Sequence, residues 1–92
     1  MLGFNLIEIR GWSMAPTLQP GQLVLFRRAR PSRVRPGDIV LVRHKRLGLI
    51  VKEVASTCAR GVRLRGRAAC STPKERLGPV AWSRVMGRRA SR

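Results

Sequence analysis

Ser13 sits inside Arg10–Leu18 (RGWSMAPTL), directly after an apolar run, in a setting that presents a hydroxyl. A serine hydroxyl is a poor nucleophile until a nearby base takes its proton. The chain offers one histidine and three lysines as bases, namely His44, Lys45, Lys52 and Lys74. His44 lies in the cationic run RHKR, where a protonated imidazole is disfavoured and no acid stands by to orient the ring; it reads as a surface residue. Lys45 shares that run and Lys74 lies in the polar stretch PKER. Lys52 differs, because strand alternation through Leu49–Val54 places Ile50, Lys52 and Val54 on one face. If that face is the inner one, burial disfavours the ammonium. For a useful neutral fraction at pH 7 the pKa must fall from ~10.4 by about 3, a cost of about 4 kcal/mol. Full burial can supply shifts of ~3–5. The competing readings are structural: Ser13 in an ordinary turn leaving a strand, and Lys52 snorkelling from a strand edge.

The loop around Ser13 is shaped by its own residues. Gly11 removes side-chain bulk beside the serine, so a substrate backbone can approach closely. Pro16 fixes its own φ and holds Ala15 extended, which excludes a helix here. The elements that must carry this loop and Lys52 read as strands. Phe4–Arg10 is the first, with Ile7 and Ile9 on one face and Phe4 and Leu6 on the other. Leu23–Arg27 and Ile39–Arg43 follow the Pro20-Gly21 and Pro36-Gly37-Asp38 turns, separated by a basic loop over residues 28–35. RHKR forms a solvated hairpin tip. Leu47–Ala55 returns, Val62–Arg65 alternates as a half-exposed strand should, and Val80–Met86 is the last strand before a frayed basic tail. No segment reads as a helix.

Composition agrees with one small β domain. The 92 residues allow a single modest core, and with only 4% aromatics and no Tyr that core must come from Val, Leu and Ile. The net charge of +16 (17 Arg and 3 Lys against 4 acids) attracts anionic membrane surfaces, nucleic acid or acidic protein. The bases are scattered and no aromatic ladder accompanies them, which argues against sequence-specific nucleic-acid binding. The apolar opening is far short of the ~20 residues of a membrane span, and it lacks a signal-peptide pattern. Cys58 and Cys70 do not make a disulfide scaffold, so the expectation is a cytoplasmic protein, with room for peripheral association at a membrane. One His and two distant Cys lack zinc-site spacing, so neither metal nor cofactor is expected.

Taken together, GWSMAPTL, PGDIVLV and IVKEV resemble, in order and rough spacing, the signal peptidase I family and its soluble relatives, which are Ser-Lys dyad endopeptidases on a coiled β-sheet fold. The closing LGPVAWSRVMGR is similar to that family's GPV…GR segment, so the likeness covers nearly the whole chain. The resemblance implies Ser13 as nucleophile and Lys52 as general base. It puts Met14 beside the dyad and the Ser13 backbone N–H in the oxyanion hole. Gly11 stands where some members carry a second, hydroxyl donor, a loss worth ~3 kcal/mol unless replaced. Counted back from Gly78-Pro79-Val80, Ser71 matches the serine that supports the lysine.

Two departures accompany the match. Lys52 is followed by EVASTCARG in place of a Gly-x-Pro-Gly-Asp run, and Pro73 and Glu75 replace an aspartate and an arginine of the later box. The resemblance implies a catalytic domain over 1–87 with a tail at 88–92, without a transmembrane anchor or an inserted β-domain. In size it is nearest the small soluble branch that includes maturation proteases of nickel-type superoxide dismutase. Its expected partner is a protein or peptide bearing a leader. LexA-type self-cleaving domains share the Ser-Lys chemistry; the PTL continuation favours the signal peptidase side. The alternatives are a degenerate, non-catalytic relative that binds, and a basic nucleic-acid-binding β-domain.

Overall fold

The computed structural model describes residues 3–11, 14, 15, 17–66 and 79–90. Its strands are β1 (Phe4–Glu8), β2 (Leu23–Arg27), β3 (Ile39–His44), β4 (Gly48–Cys58), β5 (Gly61–Arg65), β6 (Pro79–Ala81) and β7 (Val85–Arg89). Single 3-10 turns occupy Pro31–Arg33 and Trp82–Arg84. All the strand pairs are antiparallel, in the order β1-β2-β7-β3-β4-β5-β6. The protein is all-β, as its composition implied, and the sheet is curled, as the family resemblance implied. No helix among the described residues is long and apolar enough to cross a membrane.

Period-two alternation sorts the apolar residues onto the two faces of the sheet. On one face Val40, Val42, Val54, Val62, Leu64 and Val80 pack together, covered by Val34 and Ala29 of the connection between β2 and β3. On the other, Ile9, Val24, Phe26, Ile39 and Leu41 pack under Met14 and Leu18 of the connection between β1 and β2. Each of these two connections thus closes one side of the core. β3 feeds both clusters, and its residues Ile39–Val42 are at most 6% exposed. A continuous apolar run with no polar alternation is what a strand buried on both faces requires.

Two Pro-Gly turns fix the strand registers. Gln22 N–H bonds the Gln19 carbonyl (3.1 Å) with Gly21 at φ +87, and Asp38 N–H bonds the Arg35 carbonyl (3.0 Å) with Gly37 at φ +95. Proline at the second position and a left-handed glycine at the third define type II turns. The Asp38 carboxylate also accepts the Arg35 N–H at 2.9 Å.

Three expectations are corrected. The single last strand over Val80–Met86 is divided by the Trp82–Arg84 turn into β6, paired with β5, and β7, inserted between β2 and β3. Trp82 holds the break, its indole N–H donating to the Cys58 carbonyl at 2.9 Å. Arg88 and Arg89, expected in a frayed tail, are inside β7, where Arg88 is the ladder partner of Val40. His44 is not a plain surface residue: it is 9% exposed, and its Nδ1 accepts the N–H groups of Arg46 (3.1 Å) and Leu47 (3.2 Å) at the tip of the β3–β4 hairpin.

Two stability tests follow from this packing. A Cβ on Gly61 would meet the backbone of Val80 and Ala81 across the β5–β6 pair, so Gly61→Ala is expected to lose about 1–3 kcal/mol in denaturant unfolding, the usual range for overpacking. His44→Ala leaves two N–H groups of the hairpin tip without their acceptor and is expected to cost about 1 kcal/mol in the same assay.

Candidate active site

The loop that carries Ser13 is closed at its neck by β-type bonding beyond the ends of β1 and β2. Ile9 N–H donates to the Gln22 carbonyl and Gly21 N–H to the Ile9 carbonyl, both at 2.8 Å. Within the loop, Leu18 N–H donates to the Met14 carbonyl at 2.9 Å, and both side chains are buried, 2% exposed for Met14 and 0% for Leu18. A compact surface loop of this size, packed by its own side chains, is an Ω-type loop. Gly11 opens it at φ +79, with nothing within 4 Å of where a Cβ would stand. Trp12, Ser13 and Pro16 lie outside the described residues, as do Cys70, Ser71, Pro73, Lys74 and Glu75.

Lys52 is in the middle of β4, opposite Val40 of β3. Alternation puts it on the face of Ile50 and Val54, and it is only 4% exposed. Of the two readings left open by the sequence, the inner face is the one observed. β4 is pinned just beyond the lysine, where Val54 N–H donates to the Asp38 carbonyl and Gly37 N–H to the Val54 carbonyl, both at 2.8 Å. The Pro-Gly-Asp turn is therefore a clamp on the lysine strand. Immediately afterwards the β4–β5 register shifts between Val54 and Ser56, a bulge that bends β4 past the clamp.

Glu53 points to the opposite face and is 7% exposed. Its carboxylate accepts from the Arg65 guanidinium at 3.2 Å, and this hydrogen bond and the opposite charge push the Arg65 pKa up. The sequence signal for this pair, absent from the motif comparison, is an acid embedded in an apolar run, one register step from the Arg of an alternating strand.

The described part of the Ser13 loop packs on the face of β4 opposite Lys52, since Val51 and Lys52 alternate along the strand. Met14, the residue after Ser13, and Val51, the residue before Lys52, belong to the same apolar cluster with Ile39 and Leu41. Lys45, at the hairpin tip, is exposed. His44 lies four residues along β3 from Val40, roughly 13 Å at strand rise, with its Nδ1 already engaged. Across the sheet, register aligns Lys52, Val40, Arg88, Arg27 and Phe4 in one row on one face. Among the described residues no three His, Cys, Asp or Glu side chains come together as a metal site, and Cys58 is an exposed free thiol.

The model of the Peptidase S24-like family matches residues 4–77, a span that contains Ser13, Lys52 and Ser71. Comparison with curated proteins and with solved structures gave no match. The family found is the S24-like one and not signal peptidase I or its superoxide dismutase maturation branch, to which the motifs were compared. With most of its length matched, the chain belongs to the Peptidase S24-like family.

Proposed function

We propose that this protein is a serine endopeptidase in which Ser13 is the nucleophile and Lys52 the general base. The observation that carries the reading is the 4% exposure of Lys52 on an apolar strand face, in a chain of a peptidase family. General-base work needs the neutral amine, and burial is the physical means by which a fold can supply that form. Neutral Lys52 takes the Ser13 hydroxyl proton as the oxygen attacks the scissile carbonyl carbon. The carbon–nitrogen bond then breaks, the lysine returns the proton to the leaving amine, and an acyl-enzyme remains. Water, deprotonated by the same lysine, attacks the ester and restores the serine. The Ser13 backbone N–H serves the oxyanion, Gly11 leaves room for the substrate backbone, Met14 anchors the loop in the apolar cluster on the other face, and Ser71 supports the lysine. An extended substrate laid beside a strand edge suits so small a β domain.

The finer reading is removal of a leader or propeptide, as in the small soluble relatives of signal peptidase I, including the maturation proteases of nickel-type superoxide dismutase. Membership of the S24-like family favours a second reading, cleavage in cis of the polypeptide to which the domain itself belongs, as in LexA-type domains. The two separate by order of reaction: cleavage of a separate leader peptide scales with enzyme concentration, and cleavage in cis does not.

Mass spectrometry of a peptide library with wild type and variants in parallel tests the dyad. Ser13→Ala and Lys52→Ala are each expected to lower cleavage at least about 10⁴-fold, whereas Lys45→Ala retains wild-type rates. A folded Lys52→Ala protein that still cleaves removes lysine from the mechanism, and a folded wild type inert toward library and leader alike turns the reading to the binding relative. The pH profile is a separate check. The base works only when unprotonated, so kcat/KM is expected to fall about tenfold per pH unit below the Lys52 pKa. An acid optimum contradicts the assigned base.

A further inference from the structure

The outer face of the β1–β2 pair is largely apolar, with Glu8 at its far end, and no described residue covers it. Register places Phe4 opposite Arg27, Leu6 opposite Leu25 and Glu8 opposite Leu23, and cross-strand partners share a face. Phe4, Leu6, Leu23 and Leu25 are 48%, 63%, 62% and 40% exposed. They are four of the six exposed large hydrophobics among the described residues. Farther across the sheet this same face is closed by Val34 and Ala29, but that connection does not extend over β1 and β2.

At one end of the stripe lies a groove of about 550 Å³ lined by Arg27, Arg28, Arg30, Arg33, Arg88 and Arg89, with no carboxylate among the described residues of its lining. Arg27 belongs to both features. The groove is braced rather than loose: Arg88 donates to the Arg33 carbonyl at 3.0 Å and approaches Asp38 at 3.8 Å.

We propose that the Phe4–Leu6–Leu23–Leu25 stripe and the adjoining arginine groove form one docking surface for an anionic lipid bilayer. An apolar stripe flanked by a block of cations matches the two layers of such a surface, acyl chain below and anionic headgroup above. Nucleic acid would use the arginines and leave the four apolar side chains without a partner. A second copy of the chain would cover the stripe but would bring a like charge of +16 against the same arginines. The bilayer satisfies both halves. The surface is independent of the Ser-Lys chemistry and holds whether or not the chain cleaves anything.

Co-sedimentation of the full chain with phosphatidylcholine vesicles, with and without phosphatidylserine, tests this. Binding is expected only with phosphatidylserine. Arg27→Gln/Arg28→Gln is expected to weaken it about 25-fold, at about fivefold per arginine near an anionic surface. Leu6→Gln/Leu23→Gln is expected to abolish it while thermal unfolding stays unchanged, since these are the two most exposed side chains of the stripe; Leu6→Gln alone serves if that pair disturbs folding. Three results would overturn the proposal: no preference for phosphatidylserine, wild-type binding by the leucine variants, or a dimer dissolved by the leucine variants without vesicle binding. Capture of duplex DNA that ignores the leucine variants, with vesicles unbound, assigns the groove to nucleic acid instead.

Discussion

Burial of β3 on both faces is the constraint from which the arrangement of this chain follows. Ile39 and Leu41 face one cluster, Val40 and Val42 the other, and a strand so placed must have both backbone edges paired. β4 supplies one edge through a hairpin. The other is supplied by β7 from the far end of the chain, with Gly87 opposite Leu41. A Cβ at Gly87 would approach the Arg27 carbonyl to 3.1 Å and the Phe26 Cβ to 3.2 Å, so the glycine lets β7 fit tightly between its neighbours. A long-range closure of this kind ties the two ends of the chain to one central strand.

Lys52 inherits its environment from that strand. As ladder partner of Val40 it must lie on an apolar face, and the Gly37–Val54–Asp38 clamp stops β4 from sliding to another register. A one-residue slip would exchange Lys52 for Glu53, moving the lysine from one face to the other. The clamp and the β3 ladder together therefore decide which ionisable group is sequestered where. Glu53, on the opposite face, is held by Arg65.

The charge of the chain is managed by placement. Most arginines of the described residues are at outward or edge positions, where a guanidinium keeps its hydration while its stem covers apolar surface. The exception is the groove near the β2 end, where six of them converge and the Arg33 carbonyl and Asp38 brace Arg88. Like charges kept together in this way raise the self-energy of the fold. An anionic partner relieves that repulsion at this place more than elsewhere on the surface.

Local chemistry in the sequence determined the strands, the turns and the candidate base. Val, Leu and Ile with period-two spacing give strands, Pro-Gly pairs give type II turns at Gln19–Gln22 and Arg35–Asp38, and the Ile50-Lys52-Val54 alternation puts the lysine on one face. The Ser-x-x-Pro-Thr and Pro-Gly-Asp boxes also pointed to Ser-Lys peptidases, although the family matched is the S24-like one. Tertiary structure alone decided that the Lys52 face is the inner one, because that depends on which connection folds over it. It also divided Val80–Met86, since β5 and β3 compete for the same segment and a 3-10 turn lets each take half. It turned His44 into a turn acceptor, and it gathered arginines that are as far apart as Arg27 and Arg89. Spacing along the chain fixes what neighbouring residues do; which distant residues meet depends on the pairing of β7 with β2 and β3, and no local pattern encodes that.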